Sequence, residues 1–181
     1  MALKELLLGK ETPKEIGGSL ALVDVPYFSF EGKIDTGKMI VHKELAEEIM
    51  EIFKLVANEK FPIAKIKLIS CYGWSDEKSM EDNNTSCFNY RKISGTDHLS
   101  NHSYGMAIDI NPMFNPFISK NGSAHPKNSH YNPKIAGTIT QNSPVVRIFE
   151  KFGWKWGGRW ENPKDWQHFE KIRPPVEILL C

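Results

Sequence analysis

Cysteine is scarce in this chain: three in 181 residues, Cys71, Cys87 and Cys181. They are too few and too irregularly spaced for a disulfide scaffold or a Cys-x-x-Cys zinc knuckle. They read as small buried apolar side chains or an unpaired tail thiol, with a Cys71–Cys87 bridge left open. An excess of either charge is missing too. Lys and Arg number 23 and Asp and Glu 22, a formal net charge of +1, and the basic residues form no run of five or more. The chain therefore lacks the long-range field that draws proteins to nucleic acid or anionic lipid, and no nucleic-acid partner is expected. Long hydrophobic runs are absent as well. The opening "MALKELLLGKETPKE" carries only "LLL", short of the apolar core of a secretory signal, and no later run approaches the roughly 20 residues that span a bilayer. The chain as it stands is expected to carry no signal peptide, to be soluble without membrane insertion, and to be a monomer.

What is present suits one folded core. Hydrophobic residues make up 40% and charged residues 25%, with ten Phe and five Trp, ample for a buried interior and unlike a disordered chain. Since independent cores usually need on the order of 100 residues, residues 1–181 are expected to form a single domain. No internal repeat or low-complexity linker interrupts it. From His42 to Lys60, Leu45, Ile49, Ile52, Phe53 and Val56 recur three or four apart opposite Glu47, Glu48, Glu51 and Lys54, which predicts a helix. "IAKIKLIS" alternates Ala64, Ile66 and Leu68 against Lys65 and Lys67, the period of a strand with one wet face. Residues 73–99 and 111–142 show no sustained period and read as long irregular segments bordering a cleft. "NSPVVRIFEKFG" predicts a short helix with Ser143 as N-cap, Pro144 in the first turn and Gly153 as the stop. "WKWGGRWENPKDWQHFEKI" predicts two short aromatic strands joined by a Gly- and Pro-rich turn. Together these predict an α+β domain, a small antiparallel sheet flanked by helices.

The stretch "SNHSYGMAIDINP" carries the chemistry. In a strand from Tyr104 to Asn111, Tyr104, Met106, Ile108 and Ile110 face a core, while Gly105, Ala107, Asp109 and Asn111 form a floor of small residues bearing one carboxylate. His102 and Asp109 would stand roughly 23 Å apart in a fully extended chain. For both to hold one ion the chain must bend, and Gly105 is where the bend is placed. His42 sits at the start of the predicted helix facing solvent, and His98, His125 and His130 lie in polar loops. His168, flanked by Trp166 and Phe169 in "DWQHFEK", is the third candidate. His102, Asp109 and His168 would leave an open coordination position, as in catalytic zinc sites. Asp165, three residues before His168, can serve as proton acceptor, and Arg91 in "NYRKISG" offers a planar fork for a carboxylate or oxyanion. Each piece alone also fits a structural role: a surface histidine, a turn-capping aspartate, a loop-anchoring arginine.

Taken together, "SNHSYGMAID", "FGWKWGGRW" with "DWQHFE", and "NNTSCFNYRKISGT" resemble the zinc D-alanyl-D-alanine carboxypeptidase and L-alanyl-D-glutamate peptidase family, whose fold is shared by the N-terminal signalling domain of hedgehog. The resemblance runs from about residue 32 to 171, leaving 1–31 as an N-terminal arm and 172–181 as a tail. It implies one Zn2+ held by His102, Asp109 and His168, with Asp165 as catalytic base and Arg91 steadying substrate and oxyanion. Ser100 is expected to touch substrate, and Trp156 is either a wall of the substrate site or a core residue. The implied activity is hydrolysis of peptidoglycan stem peptides, of L-Ala-D-Glu endopeptidase or D-Ala-D-Ala carboxypeptidase type, at the cell envelope or outside the cell. Glutamate usually stands where Asp165 does in the carboxypeptidase branch, which tilts the expectation toward endopeptidase. Two alternatives use the same residues: a non-catalytic zinc-containing cell-wall-binding module of this fold, and a metal-dependent amidase or esterase.

Overall fold

The computed structural model describes residues 8, 9 and 11–172; Cys181 and most of the expected tail lie outside them. A short helix α1 (Lys14–Gly18) leads into β1 (Leu20–Phe28), which pairs antiparallel with β2 (Ile34–His42) over nine registered residue pairs. Alternation along these strands turns Val23, Val25, Tyr27, Met39 and Val41 inward. Residues 20–28, within the stretch expected as an arm, thus supply part of the core. His42, expected to face solvent at the head of a helix, is instead the last residue of β2 and 8% exposed.

Helix α2 (Ala46–Asn58) follows a single 3₁₀ turn (Lys43–Leu45) and lays Ile49, Ile52, Phe53 and Val56 against β1, the face its period predicted. The strand expected at 63–70 does not form. Its buried residues are Ile63, Ile66 and Ile69, spaced by three rather than two. The reason is where the backbone bonds go: Asn111 Oδ1 accepts the Ala64 N–H (2.9 Å), and Asn84 takes both the Lys67 N–H (2.8 Å) and, as donor, the Lys67 carbonyl (3.0 Å). Two asparagine side chains stand in for a neighbouring strand, leaving an extended segment with an isolated Ile66–Thr85 bridge.

The segment 73–99 is less irregular than its composition suggested. Ser75 accepts the Lys78 N–H and starts helix α3 (Asp76–Glu81). Next come β3 (Ala107–Asp109), β4 (Phe117–Ile118), β5 (Ala124–His125), α4 (Pro144–Lys151), β6 (Lys155–Trp156), β7 (Lys164–Asp165) and β8 (His168–Glu170). They form two antiparallel three-stranded sheets of order β3-β8-β6 and β5-β4-β7. The architecture is α+β, built from several small antiparallel sheets. Ser143 occupies the N-cap position of α4, but its hydroxyl accepts the Thr140 N–H (2.8 Å) instead of a helix amide. Cys71 and Cys87 are unbridged, the first exposed and the second buried. Among the described residues no helix is long and apolar enough to cross a membrane.

The core gathers α2, α4 and the β3-β8-β6 sheet around aromatic rings. Phe149 stacks on Phe169 with centroids 4.3 Å apart and meets Trp154 edge-on. Glu48 on α2 accepts from Trp154 Nε1 (2.7 Å) and pairs with Lys171 (2.8 Å), tying the end of β8 to the helix.

Asn111 closes the frame. Fully buried at φ +47°, it accepts from Ala64 and donates to the carbonyls of Pro62 (2.8 Å) and Gly137 (3.1 Å). Asn111→Ala would orphan the Ala64 N–H and the Pro62 carbonyl, while the Gly137 carbonyl keeps the Asn115 amide (3.0 Å), so it should lower the unfolding free energy by about 2–4 kcal/mol. Urea denaturation checks this; a loss under about 1 kcal/mol would contradict the assigned role.

Candidate metal centre and active site

Three turns of local geometry assemble the centre. His102 lies in a 3₁₀ turn (Asn101–Tyr104) started by Ser100, whose Oγ accepts the His102 N–H at 3.3 Å. Gly105 then bends the chain at φ +64°, and an added Cβ there would sit 2.6 Å from His42 N and 2.7 Å from the Val41 carbonyl carbon. A side chain is excluded both by conformation and by space. The bend anticipated at Gly105 returns Asp109, the last residue of β3, beside His102. The strand expected from Tyr104 to Asn111 shortens accordingly to three residues. His168 stands directly opposite Asp109 in the β3–β8 register, and opposed residues of an antiparallel pair share a face.

The result is a convergence of donor atoms. Asp109 Oδ1 lies 2.9 Å from His168 Nδ1 and Oδ2 lies 3.1 Å from His102 Nε2, while the two imidazole nitrogens are 3.3 Å apart. One ligand atom from each residue falls within 4.8 Å of the others, and all three residues are buried. The outer edges of both rings are committed. His102 Nδ1 donates to the Cys87 carbonyl (2.6 Å). His168 Nε2 faces Glu170 Oε2 at 3.5 Å, and Asn101 Nδ2 anchors that oxygen at 2.7 Å. With the outer nitrogens carrying protons, the inner ones present lone pairs to each other and to a carboxylate. Such a pocket demands a cation. The residues present fit a divalent ion of nitrogen and oxygen preference.

Without an ion, a proton meets that demand. Burial opposes a charged His168, but hydrogen bonds to Asp109 and Glu170 outweigh it and push its pKa up to about 10. Burial likewise opposes ionised Asp109, yet His102 and His168 hold it well below the usual carboxylate range. Glu170 is lowered, chiefly by its contact with His168.

Asp165, in β7, is pushed the other way. Burial raises it to about 7, against the pull of His168 and with the charge of Asp109 adding to the rise. Its Oδ1 is shielded from solvent and has no hydrogen-bond partner. Gly157 makes this approach possible: a Cβ there would stand 2.7 Å from the Asp165 carbonyl oxygen and 3.4 Å from His168 Cβ.

Arg91 is tied to the same turn through its backbone. Its N–H donates to Ser103 Oγ (2.9 Å), and its carbonyl accepts from Ser103 Oγ (2.8 Å) and Ser100 N–H (3.0 Å). Its guanidinium Nε lies 3.1 Å from Asp76 Oδ2, an ion pair whose N–H direction falls outside good hydrogen-bond geometry. Ser100 has a structural task, capping the His102 turn. Trp156 is a core residue, 2% exposed, donating Nε1 to the Trp166 carbonyl (3.0 Å), with an edge in a cleft of about 730 Å³. That cleft is lined by Tyr131, Arg159, Lys164 and Trp166 among others, and by none of the three candidate ligands. The aromatic ring beside the centre is Trp160, 5.6 Å from the His168 ring.

Residues 94–171 match the D-alanyl-D-alanine carboxypeptidase family. The match agrees with the resemblance carried by the sequence motifs, and the matched segment contains His102, Asp109, Asp165 and His168. Arg91 falls just outside it. No curated protein and no solved structure gave a match.

Glu170, Trp160 and Asp76 were not singled out from the sequence. Glu170 was within reach, since the second residue after a strand histidine shares its face. The Cys87 carbonyl was not, because any residue could supply it.

Two outcomes follow for the isolated centre. Glu170→Gln should keep the fold and weaken divalent-cation affinity roughly ten- to a hundredfold in chelator competition. Because His168 holds a proton up to about pH 10 without an ion, a binding cation must displace it. Apparent affinity should therefore rise with pH from 6 toward 10, with proton release seen by calorimetry in buffers of different ionisation enthalpy. By the same sign, the proton on His168 stabilises the ion-free protein below about 6.5, the model-peptide value, and that contribution is lost as pH rises through about 10. A pH-independent affinity would contradict the assignment.

Proposed function

We propose that this protein is a zinc-dependent peptidase that hydrolyses a peptide bond in the stem peptides of peptidoglycan, acting at the envelope or outside the cell. One observation carries the reading: a buried His102–Asp109–His168 group with a second carboxylate beside it, Asp165, whose Oδ1 has no hydrogen-bond partner. Zinc held there would supply Lewis acidity, polarising the scissile carbonyl and lowering the pKa of water. Cys87 and Glu170 orient His102 and His168, keeping the nitrogens that face the ion unprotonated.

Asp165 is the general base and then the general acid. Its Oδ1 takes the proton of the attacking water and returns it to the departing amine. The desolvation that raises it to about 7 in the ion-free protein makes it a stronger base than an exposed aspartate once ionised. Arg91 binds an anionic group of the substrate, and Trp160 supports the reading of a substrate wall better than Trp156 does. Ser100 contacts the substrate from the turn that it caps, its hydroxyl accepting there and free to donate. Aspartate at position 165 favours L-Ala-D-Glu endopeptidase specificity over D-Ala-D-Ala carboxypeptidase specificity.

Zinc-loaded protein incubated with purified sacculi should release fragments whose masses identify the bond cut, and EDTA should abolish release. Asp165→Ala should lower kcat by about a hundred- to ten-thousandfold with zinc content unchanged. Turnover surviving either change would defeat the peptidase reading and favour a non-catalytic wall-binding module.

A further inference from the structure

The strip Asn89–Tyr90–Arg91 runs between two elements. On one side is the turn carrying His102: the Asn89 N–H donates to the His102 carbonyl (3.2 Å), and Arg91 exchanges bonds with Ser103. On the other is α3, started by Ser75, whose first residue is Asp76. In an extended strip, residues 89 and 91 point to the same side. The Asp76 carboxylate meets both. Its Oδ1 accepts from Asn89 Nδ2 at 3.0 Å, and its Oδ2 stands 3.1 Å from Arg91 Nε. Asn89 is 4% exposed, so its amide is fixed by burial as well as by the bond. Both carboxylate oxygens are thus in use, one on a rigid amide and the other on the guanidinium.

The contact is an ion pair on the Nε edge of Arg91, held by charge and not by a directed N–H bond, and among the described residues neither Nη nitrogen makes a hydrogen bond. A guanidinium held at Nε presents its two Nη groups as a planar two-pronged edge, which matches a carboxylate in geometry and charge. Arg91 left unheld would spread that edge over many rotamers and lose the match.

We propose that Asp76 is a positioning residue that fixes Arg91 as the receptor for a free carboxylate on the substrate, through the chain His102–Asn89–Asp76–Arg91. This rests on the peptidase reading of the site. It assigns part of the specificity to α3, in a segment that the sequence presents as a loop, and outside the residues that match the carboxypeptidase family.

The test joins a spectroscopic and a kinetic measurement on the full chain. The Arg91 Nε–Hε signal, assigned by its loss in Arg91→Lys, should be a single line displaced from the free-arginine position in the parent protein and should return toward that position in Asp76→Asn, with the melting temperature unchanged. Zinc-loaded enzyme is then given two stem peptides that differ only in a free or an amidated carboxylate. Asp76→Asn should raise KM for the free acid between roughly ten- and a hundredfold, leave kcat and the amidated peptide nearly unaffected, and be partly rescued by Asp76→Glu. An unchanged Arg91 signal, or equal losses on both peptides, would overturn the proposal. If the parent enzyme cleaves neither peptide, the peptidase reading fails, while the Arg91 signal still decides whether Asp76 holds the guanidinium.

Discussion

A carboxylate 5% exposed, as Asp109 is, stays ionised only where positive charge is brought to it. The nearest supply is His102 and His168, and the surrounding fold exists in large part to hold those two rings edge-in toward it. The Cys87 carbonyl and Glu170, itself anchored by Asn101, take the rings' outer edges, so the charge deficit can be met only from within, by a proton on His168 or by a cation among the three donors. Metal affinity and pH dependence are thus two faces of one electrostatic requirement.

Satisfying it needs backbone that few residue types allow. Gly105 turns where the chain is pressed against β2, Gly157 lets Asp165 and His168 lie against the loop after β6, and Asn111 holds a left-handed conformation while bonding three strangers in sequence. The rigid aromatic stack of Phe149, Phe169 and Trp154 lies directly behind β8. Donor atoms carried on the end of a packed strand inherit that rigidity. The segment bearing Arg91 is instead held by a few polar contacts to α3 and to the His102 turn, and so has a softer mounting.

The helices α2 and α4 were legible because an amphipathic period of 3.6 is written in consecutive residues. The strand assigned to 63–70 was not there because alternation records only which side chains are apolar, while its backbone partners are asparagines 17 and 47 residues away. Helix α3 was hidden for a related reason: five polar residues and a single Met80 carry no apolar period, and their order comes from a cap at Ser75, a bond to Asn89 and an ion pair with Arg91. Trp156 and Ser100 show what neighbours add. The core reading of Trp156, one of the two that the sequence allowed, is the one its packing supports, and the turn that Ser100 caps is visible only once its bond to the His102 N–H is formed.

The sequence by itself determined the chemistry on offer: the types and order of His102, Asp109, Asp165 and His168, the glycine that lets the first two meet, and the absence of charge or apolar excess that would have pointed elsewhere. Those are local properties of side-chain type, conformational freedom and spacing. Only the tertiary structure decided which carbonyl and which carboxylate orient the histidines, that Trp160 rather than Trp156 stands at the centre, and that Asp76 grips Arg91. Each of these is a contact between segments far apart in the chain, made when packing selects one arrangement from many that the same residues would permit.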